Sequence, residues 1–374
     1  MLHLLQRSYV RKSVTMLTAI LVSVGATGCQ SQFVDLSNRN RMQAYEVAHV
    51  AGVANGEAVL PTFTWLDTDR MIFQRYNRKG LRSGDYDNYL AAYNFEKQEW
   101  DFLENLAQDH PCSKEEDDEI WFYNTRLLPN GTLGYSIRCK PPFGSTRSLT
   151  HLLYAWDNTK NATEFLFDFA NIPRESGYPV SAYSLSPDMG EIAYSVGDLF
   201  DSYLYRVQTD GQILQLVPQF FRAWLPAWSP DGTTIAFMGN EAYGGTPIDD
   251  VTSYNQMRPI LFLPNNLYLL NAEDETAWKV AEGFTDFYYL QWLPGSNRYV
   301  SLTGSFGNTP GIWVIDIETR DIARLWDFSA RYSWTADWKL FVHDGTIDVA
   351  SPKAWTLVVI DTPLLLVSDE SNAP

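Results

Sequence analysis

Apolar residues in the body of the chain alternate with polar ones over short stretches that tight turns separate. The clearest stretch is residues 226–237, Pro-Ala-Trp-Ser-Pro-Asp-Gly-Thr-Thr-Ile-Ala-Phe. Pro230 presets φ for a turn, Asp231 can bond its own backbone, and Gly232 accepts a positive φ. The residues that follow alternate as a strand requires. The pattern therefore predicts two antiparallel strands joined by a tight turn.

Five further segments carry this pattern in weaker form. We call the residue at the end of the first strand, just before the turn, the anchor of a segment. It is Trp228 in the clearest segment, and in the others it is Trp65, Leu127, Leu185, Trp292 and Trp334. A second hairpin follows each anchor, in the pairs 89–95 with 100–103, 152–156 with 164–167, 203–207 with 213–216, 267–270 with 277–280, 312–317 with 322–325, and 355–360 with 364–367. Repeated four-stranded meanders at a period of roughly 40–50 residues are propeller blades. The sequence predicts an all-β fold, a six-bladed β-propeller of four-stranded antiparallel blades.

The segment at Trp228, and the copy from Leu185 to Tyr194, resemble the repeat of TolB-type β-propellers. The resemblance covers residues 61–367, which it implies are the propeller, and it leaves 368–374 as a tail. TolB itself has an α/β domain before its propeller, and about 30 residues between Cys29 and the first blade are too few for one. The resemblance therefore implies a relative of TolB, with the anchor and turn residues in structural roles.

The first 28 residues predict a signal peptide. A basic start, Arg7 to Lys12, precedes an apolar run over 14–28 that is shorter than the roughly 20 residues of a spanning helix. The run ends in Ala-Thr-Gly-Cys, which resembles the lipobox of bacterial lipoproteins. The resemblance implies cleavage before Cys29 and a covalent diacylglycerol on its thiol. The alternative is an ordinary secretory signal followed by a chance cysteine.

Residues 29–60 are then expected to be the lipidated cysteine and a tether, in which 43–52 suits either a strand or a short helix. A lipidated Cys29 would anchor the protein to a membrane on the extracytoplasmic side of the cell envelope. Inner and outer membrane remain open.

Composition excludes several functions. With 28 Lys and Arg against 45 Asp and Glu, the net charge is −17, so nucleic-acid binding and attraction to anionic lipid are disfavoured. Aromatic residues make up 14% of the chain, a density that fits strands better than helices.

Cys112 and Cys139 are the two cysteines left after Cys29. An even number in an exported chain favours a disulfide, and two free buried thiols are the alternative. Cys112 precedes the first strand of the second predicted blade, and Cys139 follows its second strand. Both are thus expected at one rim of that blade, within bridging distance.

Long connections are expected on one face of the propeller. They are the segments 74–88, 104–119, 168–182, 239–265 and 303–311. Loops longer than about 12–15 residues are uncommon unless they are functional or disordered. The 239–265 insertion supplies the candidate binding residues Tyr243, Asp249, Asp250, Tyr254 and Arg258, with a variable surface loop as the alternative. The acidic run 115–119 could attract Ca²⁺, although a solvated charge run is the commoner case.

Catalytic signals are few. His110, His151 and His343 are expected near the long-loop face, and some TolB-like propellers are polysaccharide lyases that hold a metal with several histidines. No histidine or cysteine spacing here matches a known metal motif, and Gly-x-Ser-x-Gly is absent. We therefore predict no catalytic residue, and no cofactor besides the diacylglycerol on Cys29.

Two functions follow from these patterns. The first is a non-enzymatic lipoprotein whose long-loop face binds an envelope protein, a peptide or a glycan. The alternative is a carbohydrate-active enzyme, a polysaccharide lyase or a glycoside hydrolase, that uses the central pocket of the same face.

The pairing of Cys112 with Cys139 can be tested by thiol titration. We expect no free thiol in the denatured, unreduced mature protein, because lipid blocks Cys29, and two thiols after reduction. Two titratable thiols before reduction would contradict the disulfide.

Overall fold

The computed structural model describes residues 33–35, 45–47, 57–67, 69–78, 86–94, 96–103, 119–128, 130–140, 150–157, 159–169, 180–197, 202–208, 211–241, 265–327, 332–334, 339–344 and 356–361. These residues contain 24 strands and no α-helix. The expected all-β fold is therefore confirmed for the described part of the chain.

The N-terminal half of the chain forms two separate four-stranded antiparallel sheets after two short strands. The short strands are β1 (Phe33–Asp35) and β2 (Tyr45–Val47). The first sheet has β3 (Glu57–Trp65), β4 (Arg70–Arg78), β5 (Tyr86–Asn94) and β6 (Glu99–Phe102). The second has β7 (Glu119–Leu127), β8 (Leu133–Lys140), β9 (Thr150–Asp157) and β10 (Ala162–Asp168).

The strands that follow continue the same meander. They are β11 (Val180–Leu185), β12 (Glu191–Gly197), β13 (Ser202–Gln208), β14 (Ile213–Leu216), β15 (Phe220–Trp228), β16 (Thr234–Glu241), β17 (Asn265–Asn271), β18 (Ala277–Trp292), β19 (Tyr299–Phe306), β20 (Thr309–Asp316) and β21 (Ile322–Trp326). The last three are β22 (Tyr332–Trp334), β23 (Lys339–Asp344) and β24 (Thr356–Asp361).

Strands β11 to β21 form one long hydrogen-bonded sheet, in which each meander is joined to the next by only a few residues. Strand β13 meets β15 in one parallel pair, Ser202 with Arg222. Strand β18 pairs with β17 up to Phe284 and with β19 from Phe284 onward. It passes from one partner to the other beside Gly283, whose φ of 94° is open to glycine and strained for other residues. The long sheet is thus three meanders joined at their corners.

The middle strands are buried on both faces. In β12, β16 and β20 nearly every residue is buried, whereas the outer strand β10 is mostly exposed. Buried clusters lie between successive sheets, such as the one that joins Ile72 and Leu90 of the first sheet to Tyr135 and Trp156 of the second. Each meander from the second sheet to β21 therefore packs against a neighbour through both of its faces, and the core lies between the sheets.

The inner strands, which are the first strands of each meander, contact one another directly. Thr64 Oγ1 on β3 donates to the carbonyl of Thr125 on β7 at 2.6 Å. The N–H of Trp228 on β15 donates to Ser184 Oγ on β11 at 3.0 Å. These bonds fix neighbouring sheets side by side at their inner edges.

The remaining inner edges meet in the same way. The Arg126 guanidinium on β7 lies 4.7 Å from the centre of the Tyr183 ring on β11. Trp292 Nε1 on β18 donates to the carbonyl of Ala227 on β15 at 2.9 Å. Strand β22 lies against β3, so the last meander contacts the first. The anchor tryptophans Trp65, Trp228, Trp292 and Trp334 are at most 9% exposed, whereas the anchor Leu127 is 48% exposed.

A hydrogen-bond hub joins β18, β19 and β22. Ser301 Oγ donates to the carbonyl of Gln291 at 3.2 Å, accepts from Trp334 Nε1 at 2.9 Å, and lies 3.1 Å from the Tyr332 hydroxyl. That hydroxyl also donates to the carbonyl of Tyr289 at 2.8 Å. Ser301 is fully buried, so these groups have no water to replace it.

The tight turns have the chemistry that the repeat predicts. Asp231 Oδ1 accepts from Ser229 Oγ at 2.6 Å and from the N–H of Thr233 at 3.0 Å, and Gly232 has a φ of 75°. In the copy at Leu185 the positive φ falls on Met189, at 60°, rather than on a glycine. The Asp-centred turn is thus kept even where the glycine is displaced by one residue.

Alternating strand directions divide the connections between two faces. We call the side with the connections β3–β4, β5–β6 and their counterparts the turn face, and the opposite side the loop face. No described turn of the turn face is longer than six residues: 186–190 has five and 293–298 has six. The strand ends that flank 79–85, 104–118, 141–149, 170–179, 242–264 and 345–355 all lie at the loop face.

One expected long connection is absent. Residues 303–311 were expected as a long segment, but β19 runs to Phe306 and β20 begins at Thr309. Backbone pairing continues from Thr303 with Ile312 to Phe306 with Thr309, so a two-residue turn joins the strands.

The segment 29–60 contributes strands to the sheets. Strand β1 pairs in parallel with β21, and β2 pairs antiparallel with β24, so 43–52 contains a strand rather than a helix. Strand β2 thereby occupies the edge of β24, where a fourth strand at 364–367 was expected. Residues 364–367 lie outside the described residues.

The Ser301 hub should be necessary for the joint between the last two meanders. Ser301→Ala leaves two buried donors with fewer acceptors, and we expect a loss of about 2–3 kcal/mol in the free energy of unfolding. Thr276→Ala, at an exposed side chain, is the control and should change it by less than about 0.5 kcal/mol. Denaturant unfolding measures both variants. Equally small losses in the free energy of unfolding would show that the hub does not stabilise the fold.

Asp316 makes stability depend on pH. Burial raises its pKa, but hydrogen bonds from Arg298 at 2.6 and 2.9 Å and from the N–H groups of Glu318 and Thr319 outweigh burial, so the net pKa is lowered. A carboxyl group whose pKa is lowered by folding stabilises the protein at pH values above its pKa in the unfolded chain, about 3.9. That stabilisation is lost as the pH falls through the lower pKa of the folded state.

Asp316→Asn should therefore lower the free energy of unfolding by about 1–2 kcal/mol at pH 7, with a smaller difference from wild type below about pH 4. Asp69→Asn, at an exposed carboxylate, is the matched control. A deficit for Asp316→Asn that stays constant from pH 7 to pH 3 would contradict the role of its charge.

Candidate functional site

The turn face carries a shallow cavity between the meanders that begin at β11 and β15. It has a volume of about 570 Å³, and its lining includes Asp188, Asp231, Arg206 and Glu273. Pro187 lies so close to Gly232 that a Cβ there would be 3.3 Å from the proline ring. Adjacent turns therefore form the wall of this cavity.

Asp188, Asp231 and Arg206 in this cavity are engaged in holding the turns. The hydroxyl of Ser186 and the N–H of Gly190 donate to Asp188, and they lower its pKa. Arg206 donates to the carbonyl of Ala272 at 2.6 Å and lies 3.4 Å from Glu275, across two meanders. These contacts hold the turns in place and join neighbouring meanders.

At the loop face, a buried polar cluster lies at the base of the 242–264 insertion. Asn265 Oδ1 accepts from Asn240 Nδ2 at 3.1 Å and from Arg222 Nη1 at 3.4 Å. All three side chains are at most 8% exposed. The residues come from the ends of β15, β16 and β17 that meet at this face, so the cluster ties the two stems of the insertion to the inner strand.

A second contact stiffens the same stems. The Tyr268 hydroxyl donates to Glu241 Oε1 at 3.1 Å, across β17 and β16. Burial raises the pKa of Tyr268 to about 12, so this phenol stays a neutral donor at physiological pH. Both stems of the insertion are therefore held rigidly.

No sequence motif marks this cluster of Arg222, Asn240 and Asn265. Its signals were an arginine within the apolar strand β15 and one asparagine on each side of a long insertion. Neither signal has a motif, because the contact joins residues 43 positions apart.

The inner strands present two further polar or aromatic groups. Arg126 is half-buried over the Tyr183 ring, and no described residue forms an ion pair with it. Burial raises the pKa of Tyr183 to about 12. Tyr289 on β18 is 42% exposed and has a φ of 52° at a bulge. The ring of inner strands is thus polar at some positions and aromatic at others.

The predicted binding residues Tyr243, Asp249, Asp250, Tyr254 and Arg258 lie outside the described residues, as does the acidic run 115–118. Both ends of their segment are described, at Glu241 and Asn265. The assignment of these residues to binding stays a prediction.

The predicted metal and disulfide residues are only partly described. His151 lies on β9 opposite Arg138, and His343 on β23 opposite Leu357, in different sheets. Cys139 lies on β8 between Ile120 and Thr150. His110, Cys112 and Cys29 lie outside the described residues, so the disulfide and the acylation stay predictions.

The part of the chain that the structure describes holds no group of three or more His, Cys, Asp or Glu side chains placed to bind a metal ion. It likewise holds no helix of the length and apolarity that a membrane crossing requires.

No family model and no curated protein matches the sequence. Among solved structures, the oligogalacturonate lyase from Vibrio parahaemolyticus matches at 12% identity, with 86% of this chain and 96% of the lyase covered and a TM-score of 0.50. An oligogalacturonate lyase in complex with manganese matches at 10% identity over 85% and 96% of the two chains, with a TM-score of 0.49.

TolB from Acinetobacter baumannii matches at 12% identity over 78% of this chain, with a TM-score of 0.46, and the match spans 64% of TolB's own length. At such identities a match indicates a shared fold only, and the fold assignment rests on the Vibrio parahaemolyticus structure with its TM-score of 0.50. The chain has a β-propeller fold.

Proposed function

We propose that this protein is a lipoprotein of the cell envelope, anchored on the extracytoplasmic side of a membrane through Cys29. Its propeller would bind a protein, peptide or glycan partner through the loop face, without catalysis. The polysaccharide lyases and glycoside hydrolases remain the alternative, but the lyases in the comparison share too little sequence for their activity to be transferred.

Six blades of four strands are part of this proposal. The first two sheets are two such blades, and the corners at Ser202 and Gly283 divide the long sheet into three more. Strands β22, β23 and β24 with β2 on their edge make a sixth. The contact of β22 with β3 supports closure of the ring.

The observation that carries the binding function is the difference between the two faces. On the turn face, short turns use their own carboxylates and hydroxyls to close, as Asp231 and Ser229 do. On the loop face, long connections start from strand ends that are held rigidly by contacts such as Arg222 to Asn265. Binding residues are commonly found on loops that a rigid scaffold positions.

The 242–264 insertion is the segment to test first. Replacing residues 244–262 by a short Gly/Ser link leaves β16, β17 and the Asn265 cluster in place, and it changes closure entropy by only about 1 kcal/mol. The partner would be captured by crosslinking from envelope membranes, purified, and titrated against both forms of the protein. We expect the link to weaken binding at least about tenfold, or ~1.4 kcal/mol.

Glu273→Arg is the matched control, since it reverses an exposed charge beside the turn-face cavity and removes no side-chain hydrogen bond. Its affinity for the partner should stay within about twofold of wild type. Unchanged binding by the loop variant, together with a loss in Glu273→Arg, would place the partner on the turn face.

A further inference from the structure

Strand β1 shows where the N-terminal segment joins the propeller. It lies along the outer edge of β21 and runs parallel to it, with Phe33 beside Ile322 and Asp35 beside Arg324. Ile322 is the first residue of β21, directly after the turn 317–321 on the turn face. Phe33 therefore enters the sheet at the turn face, and the chain that precedes it comes from that side.

The distance from β1 to Cys29 is short. Three residues separate Cys29 from Phe33, and four fully extended Cα–Cα steps span at most about 14 Å. Strand β20, which runs from the loop face to the turn face in the same meander, has eight residues and is about 26 Å long. Cys29 cannot reach the loop face from the start of β1.

We infer that the turn face lies against the membrane, next to the turn 317–321, and that the loop face points away from the bilayer. This inference rests on the proposed acylation of Cys29 and goes beyond it, because acylation alone fixes no orientation. The lipid bilayer is thus the surface that lies next to the turn face.

Charge sets how the turn face meets the bilayer. Its described turns carry ten acidic side chains, among them Asp67, Asp188 and Asp231, and four basic ones, which are Lys97, Lys160, Arg298 and Arg320. Anionic lipid would repel this face. The tether, rather than adhesion of the protein surface, therefore holds the face near the membrane.

The orientation leaves the loop face free. A partner in the aqueous space can approach the 242–264 insertion without crossing the plane of the bilayer. The short tether and the position of the long connections thus both leave the loop face accessible to a partner.

Energy transfer to the bilayer tests the orientation. A coumarin-bearing amino acid is placed at Glu318 on the turn face, or at Thr309 at the loop-face end of the same meander, in the full-length lipidated protein. Each form is bound to phosphatidylcholine vesicles that contain a fluorescent acceptor lipid. We expect strong transfer from position 318 and clearly weaker transfer from position 309, because the two sites lie at opposite ends of β20.

Two controls identify the cause. Cys29→Ser should neither float with the vesicles nor show transfer from either site. A Gly/Ser insertion of about 12 residues after Gln30, which adds roughly 20 Å of reach, should keep flotation and reduce the difference between the sites.

The outcomes separate the two claims. If the wild type fails to float with the vesicles, the proposed anchor is wrong and the orientation falls with it. If it floats, but transfer is equal at both sites or stronger from 309, the anchor stands and the orientation is overturned. A difference that the inserted spacer leaves unchanged also overturns it, because the short tether would not be its cause.

Discussion

Burial of both faces of each sheet is the constraint on which the rest of this structure depends. A strand such as β16, with Ile235 to Asn240 all buried, cannot leave one face in water. Each meander is therefore stable only between two others, and a row of meanders ends either in exposed apolar faces or in a ring. The inner-strand bonds, from Thr64 with Thr125 to the Ser301 hub, set the spacing of that ring.

Rigidity on one side leaves the other side available for recognition. The turn face closes on itself, since its carboxylates accept from their own turns and Arg206 links two meanders. At the loop face, the Asn265 cluster and the bond from Tyr268 to Glu241 hold the stems of the longest insertion. A loop on fixed stems loses less conformational entropy on binding than one on mobile stems.

The N-terminal strands connect the proposed anchor to the ring. Strand β1 extends the edge of β21 and β2 extends the edge of β24, so these two described parts of the segment 29–60 are strands of a sheet. The outermost strands of these two sheets are thereby β1 and β2, of three residues each, and such short edge strands offer few unpaired backbone groups to another chain.

The sequence by itself determined the local units. Alternating apolar residues and the Ser-Pro-Asp-Gly turn predict each hairpin, because strand period and turn dihedral angles are local properties. Only the tertiary structure decided the long-range features: the pairing of β1 with β21, the pairing of β2 with β24, and the cluster of Arg222, Asn240 and Asn265. Each of these depends on which distant strand lies alongside, and no residue pattern within one hairpin encodes that neighbour.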